Sequence, residues 1–273
     1  MAAPLTALVL AGTRTGGDPL ADYAGVSHKA LIEIGGTTMI ERVVAALVAA
    51  PAVGRIVIAI DRPGLLEDLP GLQPDVCGKP WTTMPTQEGP SATVAAALAR
   101  EGTPLLVTTA DHALLQAAWI DEFLAACPPE ADVAAALAPR HAVEAAAPAT
   151  RRTWLRFSDD DFSGCNLFLL ARPKAAGVIV FWGEMERLRK EPLRMMQRLG
   201  WWFALRYRLG WLRSAAAAER LGALSGGARL ALVSIRDGRA AIDVDKAADL
   251  DLVRRLVAAE GPGLNGPSTS GGR

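Results

Sequence analysis

Residues 5–12 read LTALVLAG, a short apolar run that ends in glycine. An uninterrupted apolar run of this length is typical of a strand buried on both faces of a parallel sheet. Thr37 or Thr38 then precedes a helical pattern over 39–47, and a second apolar run spans 55–60. Because strand, helix and strand in this order form a βαβ unit, the chain is predicted to be α/β with a mostly parallel sheet.

The same order repeats further along the chain. A helix is predicted over 92–100 and a strand over 104–108, which ends shortly before Asp111. Two further apolar runs, 230–235 and 240–244, flank an Asp-Gly pair and predict a β-hairpin. A last helix is expected immediately after this hairpin.

Between these α/β segments lies a block rich in Trp, Tyr and Arg. It is predicted to be a helical insertion, about 172–225, within a single domain that spans 1–260. Residues 261–273 are rich in Gly, Pro and Ser and are predicted to be a disordered tail. Within the block, the mixture of aromatics and cations over 194–213 fits either contact with a membrane surface or packing of the aromatics on the domain. The packing interpretation is the favoured one.

Composition excludes several classes of protein. The 273 residues are 51% hydrophobic with zero net charge, so the chain can bury a large core and has no basic field for nucleic acid. Its three cysteines are scattered, which argues against a disulfide framework and a zinc site. The apolar stretch near the amino terminus lacks a basic segment before it, and no window has about twenty uncharged apolar residues. A cytoplasmic location is expected.

A glycine-rich segment follows the first apolar run. Gly12, Gly16 and Gly17 lack the Cβ atoms that keep a backbone away from phosphate oxygens, and Arg14 and Lys29 supply positive charge. Neither the Gly-x-x-x-x-Gly-Lys-Ser/Thr nor the Gly-x-Gly-x-x-Gly pattern is present. The segment therefore predicts phosphate binding outside the P-loop and ordinary dinucleotide-binding classes.

Carboxylates follow the predicted strands. Asp111 lies just beyond one strand, where it would either bind a cation or cap a helix beginning near Leu114. In a strand, Asp243 and Asp245 would point to the same face and reach one Mg²⁺; alternatively, Asp245 caps the last helix.

Leu10-Ala11-Gly12 and Lys29-Ala30-Leu31 resemble two ends of a motif of the MobA-like NTP transferases, typified by the molybdenum-cofactor guanylyltransferase and cytidylyltransferase. The resemblance implies a Rossmann-like three-layer sandwich of the glycosyltransferase-A/nucleotidyltransferase type. It also implies Mg²⁺-dependent transfer of an NMP group from an NTP, with GTP or CTP favoured, to a phosphorylated small-molecule acceptor with release of pyrophosphate.

The resemblance also implies residue roles. Lys29, Arg14 and Asp111 would be catalytic. Ser91 would donate to the base or cap the helix at Ala92. The implied nucleotide contacts are Leu10, Ala11, Gly12, Thr13, Arg14, Lys29, Gly89 and Ser91, and the implied metal ligands are Asp111, Asp243 and Asp245.

Two alternative functions remain open at this point. Related folds include nucleotide-sugar glycosyltransferases, which would transfer a sugar and release no pyrophosphate. Because Thr13 stands where the family has a second glycine and Gly17 falls near its usual arginine, a catalytically silent nucleotide-binding protein is the other alternative.

Overall fold

The computed structural model describes residues 4–13, 17–148, 150 and 152–260. Arg14, Gly16 and the predicted disordered tail 261–273 lie outside the described residues. The strands are β1 (Leu5–Leu10), β2 (Glu33–Ile34), β3 (Thr37–Thr38), β4 (Val53–Ala59), β5 (Trp81–Met84), β6 (Leu105–Thr109), β7 (Val133–Pro139), β8 (Leu155–Arg156), β9 (Asp161–Leu170) and β10 (Leu230–Ser234). The helices are α1 (Pro19–Ala24), α2 (Met39–Ala49), α3 (Pro74–Cys77), α4 (Pro90–Glu101), α5 (Ala117–Ala126), α6 (Arg140–Ala146), α7 (Ala175–Leu188), α8 (Pro192–Leu199), α9 (Trp201–Arg208), α10 (Ser214–Leu224) and α11 (Ala247–Glu260).

The main sheet has the strand order β10-β7-β9-β6-β1-β4-β5, with β8 paired to β9. Strand β1 lies in its interior and pairs in parallel with both β4 and β6. Strand β9 runs antiparallel between β6 and β7, so the sheet is mixed but mostly parallel. The predicted α/β class with a mostly parallel sheet is confirmed.

Both faces of this sheet are buried, which gives three layers. In β1, Ala7 and Val9 enter one apolar cluster whereas Leu8 enters the other, because successive side chains of a strand point to opposite faces. The first cluster includes Phe123 of α5, and the second includes Ile179 of α7. The predicted three-layer arrangement therefore follows from a continuous apolar run that is covered on both sides.

Helix α2 starts at the predicted position because Thr38 forms a capping box. The Thr38 hydroxyl accepts a hydrogen bond from the backbone N–H of Glu41 at 3.3 Å, and the Glu41 carboxylate accepts from the Thr38 N–H at 3.0 Å. The same carboxylate accepts from the Gly71 N–H at 2.8 Å. A local sequence signal thus determines where α2 begins.

The predicted hairpin over 230–244 is wrong. After β10 the chain forms a 3-10 turn, Gly238–Ala241, in which the Asp237 side chain accepts a hydrogen bond from the Arg239 N–H. The turn packs so closely on α6 that a Cβ atom on Gly238 would lie 2.1 Å from the Ala142 carbonyl oxygen. This packing leads the chain away from β10, and residues 240–244 form no second strand.

The region 172–225 is helical as predicted, but its parts differ. Helix α7 covers the sheet next to α4, with Ile179 buried. In α8 and α9, by contrast, no residue is buried. The favoured interpretation that the aromatics of 194–213 pack on the domain is therefore wrong for Trp201, Trp202 and Trp211, which are all exposed. Within the described part of the chain, no helix has the length and apolar character needed to cross a bilayer.

Candidate active site

A cleft of about 1450 Å³ opens at the carboxyl ends of the central parallel strands. It is lined by Gly12 and Thr13 after β1, by Asp61 after β4 and by Asp111 after β6. Ligands of open α/β sheets bind at this edge, because the loops that leave neighbouring strands converge there.

Lys29 lies at the centre of the polar contacts in the cleft. Its Nζ donates hydrogen bonds to Asp111 Oδ2 at 2.8 Å and to Asp245 Oδ1 at 3.1 Å. Burial disfavours the charged lysine, but the two carboxylates outweigh that effect and raise the pKa of Lys29 above its ordinary value. Two carboxylates predicted from the sequence, Asp111 and Asp245, thus contact the predicted lysine, Lys29.

Asp111 is held in place from two sides. Its Oδ1 accepts a hydrogen bond from the Thr109 hydroxyl at 2.5 Å, and its backbone carbonyl accepts from the Val244 N–H at 3.0 Å. The alternative interpretation, in which Asp111 caps a helix near Leu114, is wrong, because α5 starts at Ala117 with Gln116 at its N-cap position.

Asp243 and Asp245 have different surroundings. Asp243 does not line the cleft; its carboxylate accepts hydrogen bonds from Asn166 Nδ2 at 2.9 Å and from the guanidinium of Arg152. Burial, followed by the negative charge of Asp245, raises the pKa of Asp243. Asp245 lines the cleft, and its side chain is 60% exposed. Because no strand forms here, the expectation that the two carboxylates share one strand face is wrong.

The acidic residues of the cleft fit a Mg²⁺ ion only together with a substrate. Asp111 and Asp245 both contact the ammonium group of Lys29, so their oxygens already converge on a positive charge. In the described ranges, no cluster of three or more His, Cys, Asp or Glu side chains is placed to hold a metal alone. Mg²⁺ in nucleotide enzymes is commonly bound by one or two carboxylates and by substrate phosphates, and this donor set matches that pattern.

Asp61 is a site residue that the sequence reasoning missed. Its Oδ1 accepts hydrogen bonds from the Thr13 N–H at 3.1 Å and from His28 Nε2 at 3.2 Å. His28 Nε2 carries the proton, because Nδ1 accepts from the Ala30 N–H at 3.1 Å. Burial opposes ionisation of Asp61, but the hydrogen bonds from His28 and Thr13 outweigh it and lower its pKa. Asp61 therefore joins both ends of the glycine-rich segment, and its position after β4 was the available signal.

The glycine-rich segment passes close to the neighbouring loop. A Cβ atom on Gly12 would lie 2.7 Å from Thr86 Cγ2, and Gly17 has a positive φ of 91°. The backbone conformation of Gly17 therefore favours glycine, whereas a side chain at Gly12 would displace the Thr86 methyl group. Of the predicted nucleotide contacts, Leu10, Ala11, Gly12, Thr13, Lys29 and Gly89 all line the cleft.

Helix α4 points its amino terminus at the cleft, where it meets Glu186 of α7. Glu186 Oε2 accepts hydrogen bonds from the Ser91 hydroxyl at 2.5 Å and from the Ser91 N–H at 3.3 Å. Gly89 is the N-cap residue, and a Cβ atom there would lie 2.8 Å from Glu186 Oε1. Ser91 therefore does not cap the helix as the alternative interpretation held, and Glu186, another missed residue, lines the cleft.

This arrangement of an interior parallel strand, a glycine-rich loop, a half-buried lysine and strand-end carboxylates defines the class of nucleotide-handling α/β transferases. The family model described as "MobA-like NTP transferase domain" matches residues 7–229. The chain belongs to the MobA-like NTP transferase family and is a nucleotidyltransferase. Among curated proteins, none matches the chain.

Solved structures share this fold. A hypothetical transferase from Thermus thermophilus is 29% identical with a TM-score of 0.77, over 91% of this chain and 100% of that one. CMP:2-keto-3-deoxy-manno-octonic acid synthetase, complexed with CTP, is 15% identical with a TM-score of 0.60, over 94% and 100% of the two chains. 4-Diphosphocytidyl-2C-methyl-D-erythritol synthase from Anaerococcus prevotii is 7% identical with a TM-score of 0.57, over 93% and 99%.

Proposed function

We propose that the protein transfers an NMP group from a Mg²⁺-bound NTP to a phosphorylated small-molecule acceptor and releases pyrophosphate. The observation that carries the proposal is the contact of Lys29 with Asp111 and Asp245 in a cleft beside the β1 loop. Two proteins of similar fold, CMP:2-keto-3-deoxy-manno-octonic acid synthetase complexed with CTP and 4-diphosphocytidyl-2C-methyl-D-erythritol synthase, support nucleotidyl transfer to a small acceptor.

In the proposed reaction, an acceptor phosphate oxygen forms a bond to the α-phosphorus of the NTP. The bond from that phosphorus to the oxygen bridging to the β-phosphate breaks, and pyrophosphate leaves with the electron pair. Lys29, Arg14 and the backbone N–H groups of the β1 loop would bind the triphosphate, since charge-assisted hydrogen bonds are the strong ones. Asp111 and Asp245 would hold Mg²⁺, which neutralises the charge on the phosphates.

Asp243 has a different proposed role from the one first expected. Its carboxylate already accepts hydrogen bonds from Arg152 and Asn166. In the proposal, Asp243 therefore stabilises the turn before α11 and does not bind the metal. Asp245, two residues further along, takes the second ligand position in the proposal because it faces the cleft.

The base would lie near Gly89, Ser91 and Glu186. The Glu186 carboxylate accepts hydrogen bonds, and both guanine and cytosine present amino-group donors. Guanine adds the N–H of its ring beside the amino group, so a carboxylate can accept two hydrogen bonds from it. This chemistry supports GTP and CTP over UTP; because adenine also presents an amino-group donor, the preference over ATP rests on the family resemblance.

The first test is a thermal-shift screen of the four NTPs with Mg²⁺. A ligand that binds only the folded state raises the unfolding temperature, and GTP or CTP should give the largest shift. Glu186→Gln should reduce that shift, because an amide presents one acceptor oxygen where the carboxylate presents two. Asp251→Asn, an exposed change on α11, is the matched control. Equal shifts with all four NTPs would contradict the assignment of the base.

The second test is pyrophosphate release with phosphorylated acceptors. Asp111→Asn should lower the rate by at least about 100-fold, the usual scale for loss of an electrostatic group at a transferred phosphate. Sugar transfer from an NDP-sugar without pyrophosphate would instead establish the glycosyltransferase alternative. Nucleotide binding that survives Asp111→Asn, with no turnover in the wild type on any acceptor, would establish the silent binding protein.

We also propose that the reaction takes place in the cytoplasm. Cys77, Cys127 and Cys165 are free thiols, as a reducing compartment maintains them. Neither the zero net charge nor the cleft geometry calls for a nucleic-acid partner.

A further inference from the structure

An exposed apolar surface lies on α8, α9 and the segment after them. We call it the aromatic surface, and each of its side chains is at least 45% exposed; they are Leu193, Trp201, Trp202, Leu205, Leu209 and Trp211. Soluble domains rarely leave large apolar side chains grouped in this way, and such groups mark interaction sites.

Helix geometry explains why the apolar side chains on and just after α9 share one direction. Trp201, Leu205 and Leu209 are four residues apart and form one row along α9, with Trp202 beside it. The other side of the helix carries Tyr207, which is half-buried and packs edge-on against Phe157 at a centroid distance of 5.9 Å. Helix α9 therefore rests on the domain by its tyrosine side and turns its larger apolar side to the solvent.

The surface is attached firmly to the fold. The carbonyl of buried Leu212 accepts a hydrogen bond from the Ser158 N–H at 2.9 Å. The Asp159 carboxylate accepts from the Ser214 N–H at 2.9 Å and from the Ser214 hydroxyl at 2.5 Å. These contacts on both sides of Arg213 fix the segment that carries Trp211, so its exposure is a property of the folded domain.

Cations outnumber carboxylates around this surface, although Arg194 pairs with Glu191 at 2.8 Å and Arg198 with Glu184 at 2.9 Å. Residues 189–213 contain seven Arg or Lys side chains and one carboxylate, Glu191, in a chain with zero net charge. Arg206 follows Leu205 and Arg208 precedes Leu209. Because one residue turns a helix by about 100°, the two arginines lie on opposite borders of the apolar row of α9. Lys190 and Arg208 are both exposed.

We propose that the aromatic surface docks on an anionic lipid bilayer. Tryptophan favours the interface between headgroups and acyl chains, and cations that border an apolar row attract anionic headgroups. Helix α7 connects the aromatic surface to Glu186 in the cleft, so docking brings the cleft close to the headgroups.

The proposal is tested by co-sedimentation of the full chain with vesicles, in the absence of nucleotide. The vesicles contain phosphatidylcholine alone or phosphatidylcholine mixed with phosphatidylglycerol. The wild type should sediment with the anionic vesicles, and rising salt should release it. The double variant Trp201→Ser/Trp202→Ser should bind at least about tenfold more weakly, because it loses most of the apolar side-chain area that would be buried in the bilayer on docking.

A charge variant and a control complete the experiment. Lys190→Gln with Arg208→Gln should weaken binding to anionic vesicles by about fivefold for each cation removed. Val76→Ser, an exposed valine outside the aromatic surface, should leave binding unchanged. All variants should keep the wild-type unfolding temperature, because the changed side chains are exposed.

Three results would overturn the proposal. The first is absence of wild-type sedimentation with either vesicle. The second is equal binding to neutral and anionic vesicles. The third is a dimer that Trp201→Ser/Trp202→Ser abolishes while no vesicle binds, which would make the aromatic surface an interface between copies of the chain. None of these results bears on pyrophosphate release, so this proposal and the nucleotidyltransferase proposal fail independently.

Discussion

The contact between Lys29 and Asp111 makes a quantitative prediction for a double-mutant cycle. Lys29→Met and Asp111→Asn are made singly and together, and the interaction energy is the departure from additivity. The two atoms are 2.8 Å apart, and the side chains are 18% and 21% exposed. At an effective dielectric constant of about 20, the Coulomb attraction at this distance is about 6 kcal/mol.

Most of this attraction is offset by the cost of removing both charges from water. Hydrogen bonds to charged groups retain about 1.5–3 kcal/mol net, so the cycle should give an interaction energy of about 2 kcal/mol. The contact with Asp245 is an internal control, since that carboxylate is 60% exposed and solvent screens it. The corresponding cycle with Asp245→Asn should give only about 0.5 kcal/mol.

Urea unfolding of the wild type and the variants measures both energies. An interaction energy with Asp111 below about 0.5 kcal/mol, or one no larger than that with Asp245, would refute the reasoning about burial.

The pH dependence of stability supplies a second readout. Because the pKa of Lys29 is raised, its stabilising contribution is complete below the ordinary value of 10.5 and is lost as pH rises through the higher folded pKa. The wild type should therefore lose stability above pH 10.5 relative to Lys29→Met.

Three further predictions concern other parts of the fold. Gly238→Ala should destabilise the protein by about 2–3 kcal/mol in urea, because its Cβ meets a backbone carbonyl, whereas Gly64→Ala, with open space around it, should change stability by less than about 0.5 kcal/mol. Asp61→Asn should lower the free energy of unfolding by about 1 kcal/mol at neutral pH. Because the pKa of Asp61 is lowered, its stabilising contribution is complete above the ordinary value of 3.8 and is lost in the wild type as pH falls through the lower folded pKa. A difference between the wild type and Asp61→Asn that does not change with pH would contradict this prediction. Burial raises the pKa of Cys127 to about 11, so a disulfide reagent at pH 8 should label this thiol slowly in the native state and faster in denaturant.

Local signals in the sequence predicted much of the α/β framework. The apolar run of β1 and the capping box of α2 act over a few neighbouring residues, and both elements form where they were expected. The hairpin prediction failed because an Asp-Gly pair is compatible with more than one turn. Packing of Gly238 on α6 selected the 3-10 turn, and no pattern within 230–244 encodes that contact.

The residues of the candidate site also divide into those with a local sequence signal and those placed only by contacts between distant segments. Lys29 and Asp111 were identified because each follows a recognisable strand or loop pattern, but the contact between them spans 82 residues of sequence. Glu186 was missed because nothing near it in the sequence relates α7 to the start of α4, although its carboxylate accepts hydrogen bonds from Ser91. The exposure of Trp201 was also not predictable, since the same aromatic residues would suit a buried helix face.

The amino-acid sequence by itself determined the alternation of strands and helices, the family and eight of the residues that line the cleft, because these depend on short-range periodicity and on motifs a few residues long. Only the tertiary structure decided which carboxylate meets Lys29, which one is bound by Arg152, and which apolar side chains remain in solvent. These outcomes depend on contacts between segments far apart in the chain. Such contacts exist only after the sheet has assembled and its loops converge at one edge.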